Sequence, residues 1–361
     1  MSLLHSFFKK IDGRNIELFL TLSGSSVNAA VVYFQQGSRP KLLFETSNHV
    51  NIRLTDSGFN RAQLKKILLS TLDEVAANSQ KIYEIKELMR EHQKIHTVHV
   101  MCGIPWVSYH SDKAQTNVKK GVKLTSKNLA AYLSEQTGVS EQKRIDRVVY
   151  ETKRNGYSIS EVNLVTQERE SFELAFVDTE MRQANHADIL SLLSDKLAVS
   201  AEQVNFHSSF SVLLHNKQQH YKHNYPRYQI LLASSAGIEL FSFEDQEIQK
   251  HAHIPLGGDA VVADMLRKKI SHDIQHSLID LDAYLQGHLS SEKTLAIDIV
   301  VSDLASRVSL DQSLPTFIMC EKASKKLFSR AFPELALHSV CPEAGIEFNN
   351  QLVANLFNYL H

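Results

Sequence analysis

Apolar residues follow the same strand-turn-strand order in two separate parts of the sequence. In each part, two apolar runs flank a short turn of small residues, and a third extended run follows. The first part comprises residues 16–22, 23–26, 27–34 and 42–46, and the second comprises residues 231–233, 234–237, 238–243 and a run that ends at residue 256. The copies lie about 210 residues apart, which is too far for a solenoid repeat. We therefore predict two related domains that face a cleft.

Between the two copies, the pattern predicts a long helix followed by a compact α+β unit. Apolar residues at spacings of three and four predict the helix over residues 61–93. Strand-like runs on both sides of Asn155-Gly156 predict a β-hairpin, because this dipeptide favours a tight hairpin turn. Residues 111–124 alternate only loosely, so we expect an exposed, extended arm there. The predicted boundaries are 1–13 for an N-terminal amphipathic segment, 14–97 for the first half, 98–206 for the insertion and 207–361 for the second half.

Gly257, Gly258 and Asp259 open a predicted helix after the third strand of the second copy. We place this helix at residues 259–274 and expect Asp259 to cap it. Backbone N–H groups and the positive end of the helix dipole attract anions. The sequence thus predicts an anion-binding corner beside the second turn.

Composition and charge are ordinary for a globular protein and exclude several classes of function. Hydrophobic residues make up 43% of the chain and charged residues 22%. Lys and Arg number 39 against 40 Asp and Glu, so no excess of positive charge supports nucleic-acid binding. Three cysteines are too few for a disulfide framework. His215, His220 and His223 lie in a polar segment typical of a loop, so we expect no metal site there.

The first thirteen residues combine apolar side chains with a short basic end. This pattern predicts a short amphipathic helix. The candidate membrane-contact residues in it are Leu3, Leu4, Phe7, Phe8, Lys9 and Lys10. Two lysines attract anionic lipid only weakly, so docking on the protein body is favoured over a membrane contact. No apolar run reaches the roughly 20 residues of a membrane span, and we expect a cytoplasmic location.

Four stretches together resemble the bacterial FtsA and PilM group of actin-like proteins. Residues 20–34 are similar to the first phosphate loop of that group, and residues 155–177 to part of its SHS2 insertion domain. Residues 204–214 resemble its linker between halves, while residues 231–243 and 255–266 resemble the second phosphate loop and the following helix. The resemblance covers nearly the whole chain in order. It implies an α/β fold of two actin-like (ribonuclease H-like) halves around a cleft, with an α+β SHS2-type insertion domain.

Several residues that bind nucleotide and metal in that group are replaced in this chain. The resemblance implies an acid on each phosphate-loop strand, but Thr21 and Ala233 stand there, and Asn28 replaces an expected Lys or Arg. An adenine-binding turn rich in glycine is expected after residues 316–319, where the chain continues Cys-Glu-Lys-Ala. Without carboxylates Mg²⁺ loses its protein ligands, and a Cβ atom in each turn crowds the phosphates.

We therefore expect a degenerate ATPase site with no catalytic residue, no metal ligand and no cofactor. ATP with Mg²⁺ is the alternative. The residues that would bind a retained nucleotide are Ser23, Gly24, Ser25, Ser26, Ser234, Ser235, Gly237, Glu239, Gly257, Gly258 and Asp259. Glu239 is the best remaining acid, so an active enzyme of the ATPase or sugar-kinase type would depend on it.

By resemblance, we expect an FtsA-like cell-division scaffold that acts through protein–protein contacts at the inner face of the membrane. Its partner would be an FtsZ-like filament. The first alternative is a PilM-like type IV pilus assembly protein, which holds a peptide of an inner-membrane protein beside its insertion domain. The second alternative is an active ATP-binding enzyme. Self-association is compatible with either scaffold, no nucleic acid is expected, and the fold does not decide between the two partners.

Overall fold

A computed structural model describes most of the chain. The described residues are 14–24, 26–35, 37–49, 61–83, 95–125, 142–159, 163–166, 168–220, 225–245, 247–254, 257–306, 310–320, 322–333, 335, 337–339 and 348–361. The strands are β1 (Arg14–Ser23), β2 (Ser26–Gln35), β3 (Lys41–His49), β4 (Thr97–Cys102), β5 (Val107–Val118), β6 (Lys123–Thr125), β7 (Gln142–Arg154), β8 (Tyr157–Ser158), β9 (Asn163–Val165), β10 (Glu170–Arg182), β11 (Val204–Ser208), β12 (Arg227–Ala233), β13 (Ile238–Glu244), β14 (Glu247–Ile254), β15 (Thr316–Cys320) and β16 (Leu337–Ser339). The helices are α1 (Arg61–Tyr83), α2 (Gln183–Leu197), α3 (Ser209–His220), α4 (Gly258–Arg267), α5 (Ile274–Gln286), α6 (Ser291–Ala305), α7 (Lys322–Ala331) and α8 (Gln351–Leu360).

Two five-stranded sheets share one topology. The first has the order β11-β4-β1-β2-β3, and the second has the order β16-β15-β12-β13-β14. In each sheet the central strand pairs antiparallel with the next strand and parallel with a later one, as β1 does with β2 and β4 and β12 does with β13 and β15. The third strand of each copy extends the sheet antiparallel. The predicted duplication is confirmed.

The central strand of the first sheet has a nearly continuous apolar sequence. Leu18, Phe19, Leu20 and Leu22 on β1 are fully buried, although successive side chains point to opposite faces. Such a strand must have both faces covered, and burying each large apolar side chain contributes roughly 1.5–3 kcal/mol. The run of apolar residues therefore places β1 at the centre of the sheet.

A four-stranded antiparallel sheet, β5-β10-β7-β8, is inserted between β4 and β11. The hairpin predicted at Asn155-Gly156 is confirmed, because Arg154 pairs with Tyr157 and both turn residues have positive φ. The stretch predicted to be extended and exposed at residues 111–124 is extended and mostly exposed, because β5 and β6 cover most of it, but it is not a free arm. Strand β5 pairs along its whole length with β10, and its exposed outer side chains explain the loose sequence pattern.

Three elements, β4, β11 and α8, do not follow the predicted domain boundaries. Strands β4 and β11 pair with each other in the first sheet, so the range 98–206 includes most of β4 and the first three residues of β11, which belong to the first half. At the end of the range 207–361, helix α8 packs against β1 and β2 of the first sheet. Glu45 on β3 holds the start of α8, because its carboxylate accepts the backbone N–H groups of Asn349 and Asn350.

The helix that follows the second turn differs from its predicted range. Helix α4 ends before residue 268, whereas the sequence pattern predicts a helix over 259–274. Gly257 occupies the N-cap and Asp259 lies in the first turn, so the predicted Asp259 cap is wrong. The chain leaves the helix at Lys269, whose φ of 55° is left-handed. Asp273 then caps α5.

One hydrophobic core extends through both halves and reaches the inserted sheet. Phe241 on β13 lies at its junction, with its ring centroid 4.6 Å from Phe210 on α3 and 5.9 Å from Tyr109 on β5. A second core fills the space between the other face of the second sheet and helices α4 to α7. A third, small core surrounds Phe172 in the inserted sheet. The shared first core packs the two halves and the insertion against each other.

Candidate functional site

The first turn of small residues joins β1 to β2, and its polar side chains bond to each other. Asn28 donates its side-chain N–H to the Thr21 hydroxyl at 3.0 Å, and both residues are fully buried. The Ser47 hydroxyl on β3 donates to the side-chain Oδ1 of Asn28 at 2.5 Å. The Ser26 hydroxyl donates to the Ser23 carbonyl at 3.0 Å. Where the resemblance implies an acid and a basic residue, the chain thus holds a neutral hydrogen-bonded pair.

The second turn, between β12 and β13, is closed by its own hydrogen bonds. The backbone N–H of Ser234 donates to the Gly237 carbonyl at 2.9 Å. The Ser234 hydroxyl accepts the N–H of Ala236 at 3.2 Å. Ser234 and Ala233 are buried, and Ser235 is partly exposed. Two backbone N–H groups of the turn and the Ser234 hydroxyl are therefore bonded within the turn.

The two turns touch each other. A Cβ atom added at Gly24 would lie 2.4 Å from the Ser235 hydroxyl oxygen and 2.8 Å from the Ser235 backbone nitrogen. The backbone of Gly24 has a left-handed φ of 51° and donates its N–H to the Ile104 carbonyl at 2.7 Å. A glycine is thus required at position 24 for two reasons, namely the left-handed backbone conformation and the close approach of the second turn.

Gly257 lies directly against the second turn. A Cβ atom added at this position would lie 2.2 Å from the Ser235 carbonyl oxygen and 2.6 Å from the Ser234 carbonyl oxygen. Its φ of −158° is ordinary extended backbone, so the need for glycine comes only from the space available. The predicted anion-binding corner is therefore filled on one side by carbonyl oxygens, which repel an anion. Gly258 and Asp259 follow in the first turn of α4.

Glu239 is the one acid of the predicted set whose surroundings the structure describes. Its side chain is buried, and both carboxylate oxygens accept hydrogen bonds at 2.8 Å, one from His251 Nε2 and one from His253 Nδ1. Burial alone would raise the pKa of Glu239, but the bonds from the two histidines outweigh it and hold the pKa below its ordinary value. Glu239 is therefore a paired anion and not a free general base.

Some predicted positions fall outside the described residues, and two participants are new. Ser25 and the N-terminal segment with its membrane-contact residues lie outside the described part of the chain. His251 and His253 did not enter the sequence-based prediction. Their spacing of two residues on a strand places both on one face, beside the cross-strand position of Glu239. That alternation is the signal by which the sequence points to them.

A second buried glutamate, Glu17 on β1, also meets two histidines. His99 Nε2 lies 3.3 Å and His361 Nε2 3.7 Å from the same carboxylate oxygen. Burial raises the pKa of Glu17, yet its bonds to His361 and His99 bring it down to about 2. The ring of His361 stacks on Phe34 with centroids 4.6 Å apart. This cluster holds the end of α8 on the first sheet.

Within the described residues, no three His, Cys, Asp or Glu side chains are arranged to bind a metal.

Comparisons with known proteins bear on the fold. No protein-family model matches the sequence, and a search of curated proteins gives no significant match. The type IV pilus biogenesis complex of PilM and PilN contains a chain that matches with a TM-score of 0.56 and 14% identity, over 98% of this chain and 98% of that chain. The ethanolamine utilization protein EutJ of Carboxydothermus hydrogenoformans matches with a TM-score of 0.44 and 10% identity, over 96% and 90% of the two chains.

The chain has the actin-like ATPase fold. The shared topology of its two five-stranded sheets and the match over nearly the full length of the pilus protein support this statement. The predicted α/β fold with two actin-like halves is confirmed. At 14% identity, the match shows the fold alone.

In this actin-like fold, the resemblance places nucleotide phosphates and Mg²⁺ between the two turns. Here Gly24 and Ser235 are in van der Waals contact, and Gly257 lies against the same turn. A phosphate group does not fit between atoms in contact. At the positions implied for the two acids, Thr21 is bonded to Asn28, and Ala233 has no oxygen in its side chain. These residues do not fit a magnesium nucleotide, and we derive no chemical step through one.

Proposed function

We propose that this actin-like chain is a scaffold that acts by binding another protein and does not hydrolyse ATP. The contact between Gly24 and Ser235 carries this proposal, because it occupies the position implied for the nucleotide phosphates. The neutral pair Thr21–Asn28 and the paired state of Glu239 support it further. Phosphoryl transfer depends on metal-binding carboxylates and on an open phosphate loop, and neither feature is present among the residues described at this site.

Calorimetry with ATP or ADP and Mg²⁺ tests the first part of the proposal. We expect no heat of binding at nucleotide concentrations up to about the millimolar range, where a weak site still has roughly 4 kcal/mol of binding free energy. The matched variant is Glu239→Ala, which removes the acid on which an enzyme would depend. Micromolar binding by the wild type that is lost in this variant would refute the proposal in favour of an ATPase or kinase.

For the partner, we propose a peptide of a membrane-anchored assembly protein. The solved structure with a PilM chain is a complex with PilN, which supports a peptide partner over a filament. The inserted sheet offers exposed apolar side chains for such a contact. Val149 on β7 is 37% exposed and Tyr157 on β8 is 79% exposed, and exposed aromatic residues are frequent binding anchors.

A pull-down from the native lysate tests this partner. The bait is the full chain, and the test variant is Val149→Ser with Tyr157→Ser. The matched control is Leu295→Ser with Ile299→Ser, which changes two exposed apolar residues on α6 of the second half. We expect pilus components with the wild type and the control, and at least about tenfold less with the test variant, which corresponds to about 1.4 kcal/mol. Capture of an FtsZ-like protein instead would support the cell-division alternative.

The cellular location is part of the same proposal, because the proposed partner is anchored in the membrane. None of the helices in the described part of the chain is long and apolar enough to span a membrane. We propose that the protein works at the inner face of the membrane through its partner. Vesicle co-sedimentation with and without the partner peptide tests this, and binding to vesicles without the peptide would point to a direct lipid contact.

A further inference from the structure

Glu239, His251 and His253 form an ionisable cluster around a buried carboxylate, between two neighbouring strands. Glu239 lies on β13, and both histidines lie on β14, which is the edge strand of the second sheet. Glu239 and His253 are directly opposite each other in the pairing register. His253 is half-exposed and His251 is mostly buried. The cluster therefore adds an electrostatic attraction to the backbone hydrogen bonds that hold β14 on the sheet.

Strand β14 also connects the second half to the inserted sheet. Glu247 at the start of β14 accepts hydrogen bonds from Lys113 on β5 at 3.0 Å and from Lys153 on β7. His251 stacks face to face on Phe241, with ring centroids 4.4 Å apart, and Phe241 in turn meets Tyr109 on β5. The position of the inserted sheet thus depends on how firmly β14 is held.

The described groups that face this cluster come from several elements. Tyr109 on β5 is close enough to feel the charge of Glu239, and burial followed by this negative charge raises the pKa of its phenol well above the ordinary value. Cys102 on β4 and Asp146 on β7 also lie near Tyr109. Bonds from Lys153 and Lys113 lower the pKa of Glu247 to about 2. Among these groups, only the histidines have an ordinary pKa between pH 6 and pH 8.

We propose that Glu239, His251 and His253 form a proton-sensitive clasp that sets how firmly β14 holds the inserted sheet against the second half. When the ring of His253 carries two protons, its positive charge lies 2.8 Å from a buried carboxylate oxygen. When it carries one, the Nδ1–H bond to Glu239 persists but the charge attraction is lost. The clasp is therefore tighter at mildly acidic pH.

The sign of the pH effect follows from the direction in which the pKa of His253 is shifted. Its bond to Glu239 raises the pKa of His253 above the ordinary 6.5, in spite of partial burial. A group whose pKa is higher in the folded than in the unfolded state stabilises the fold when it is protonated. This stabilisation is complete below the unfolded-state pKa, and it is lost as pH rises through the folded-state pKa. The lowered pKa of Glu239 acts only in a more acidic range, so Glu239 stays charged between pH 6 and pH 8.

Hydrogen–deuterium exchange of the full chain tests the clasp. Peptides that cover β14 and β5 are followed at about pH 6 and about pH 8, with intrinsic exchange rates corrected for pH. We expect protection in both strands to fall by about threefold to tenfold at the higher pH, since one unit of pKa shift corresponds to a factor of about ten. In His253→Gln, whose amide can donate to Glu239 but does not titrate, we expect this difference to disappear.

The control is His276→Gln, which removes an exposed histidine on α5 that bonds to the N-cap residue Asp273, outside the clasp. This variant should keep the wild-type difference in β14 and β5. If His253→Gln keeps the same pH dependence as the wild type, or if protection is higher at the higher pH, the proposal is overturned. Glu239→Gln is a second variant, in which the NMR-measured pKa of His253 should return to its ordinary value.

Discussion

Gly257→Ala is expected to lower the free energy of unfolding by about 3 kcal/mol, at the upper end of the usual cost of overpacking. The added Cβ atom would lie 2.2 Å and 2.6 Å from two backbone carbonyl oxygens of the second turn. A flexible side chain could move aside, but these oxygens belong to a turn that is fixed by its own hydrogen bonds. Since the φ of Gly257 is accessible to any residue, no backbone strain adds to the loss, which comes mainly from crowding and to a small extent from the poorer N-cap that alanine provides.

Denaturant unfolding followed by tryptophan fluorescence measures this loss. The single tryptophan of the sequence is Trp106, which is buried in the first core. The matched control is Gly237→Ala, at the same turn, where the nearest atom would be 3.0 Å from the new Cβ. We expect a loss of about 1 kcal/mol or less there. Equal losses for the two variants would show that the turn yields, and that Gly24 and Ser235 can separate to admit a ligand.

Phe241→Ala is expected to destabilise the protein by about 4 kcal/mol, the usual cost of emptying a fully buried phenylalanine site. Phe241 is 0% exposed and contacts a ring on each of three elements, namely Phe210, Tyr109 and His251. Its removal should loosen the second sheet, the linking helix α3 and the inserted sheet together. The cavity lies at a junction of three elements, so collapse of one side cannot fill it.

Hydrogen exchange distinguishes this junction from an ordinary core site. The control is Phe172→Ala, which deletes an equally buried ring from the small separate core of the inserted sheet. We expect Phe241→Ala to raise exchange in β5 and β13 alike, and Phe172→Ala to raise it only within the inserted sheet. Exchange that rises in β13 alone after Phe241→Ala would contradict a shared core.

The strands were the part of the fold that local pattern predicted best. Apolar runs and small-residue turns placed both copies of the strand-turn-strand unit, and Asn155-Gly156 placed the hairpin of the insertion. Such features depend on neighbours a few residues away, so the sequence contains them directly. The extended conformation of β5 was predicted, but its place in a sheet was not, because both of its faces are exposed over residues 110–113 and its pairing partner β10 lies more than fifty residues later.

At the candidate site, the residue types could be read from the sequence, but their contacts could not. The loss of the implied acids at Thr21 and Ala233 is visible in the sequence alone. That Thr21 bonds to Asn28 across the β1–β2 hairpin follows once the register is known. The pairing of Glu239 with two histidines also needs the register of β13 and β14, because strand alternation alone does not say which residues stand opposite each other.

Two similar sheets with an insertion between them, and the replacement of the acids that the resemblance implies, can be read from the amino-acid order. The contacts of Gly24 and Gly257 with the turn at Ser235, and the return of α8 to the first sheet, are visible only in the folded chain. These contacts join residues that are far apart along the chain. Hydrophobic periodicity is a local property, whereas the contact between Gly24 and Ser235 depends on how two whole sheets pack around one shared core.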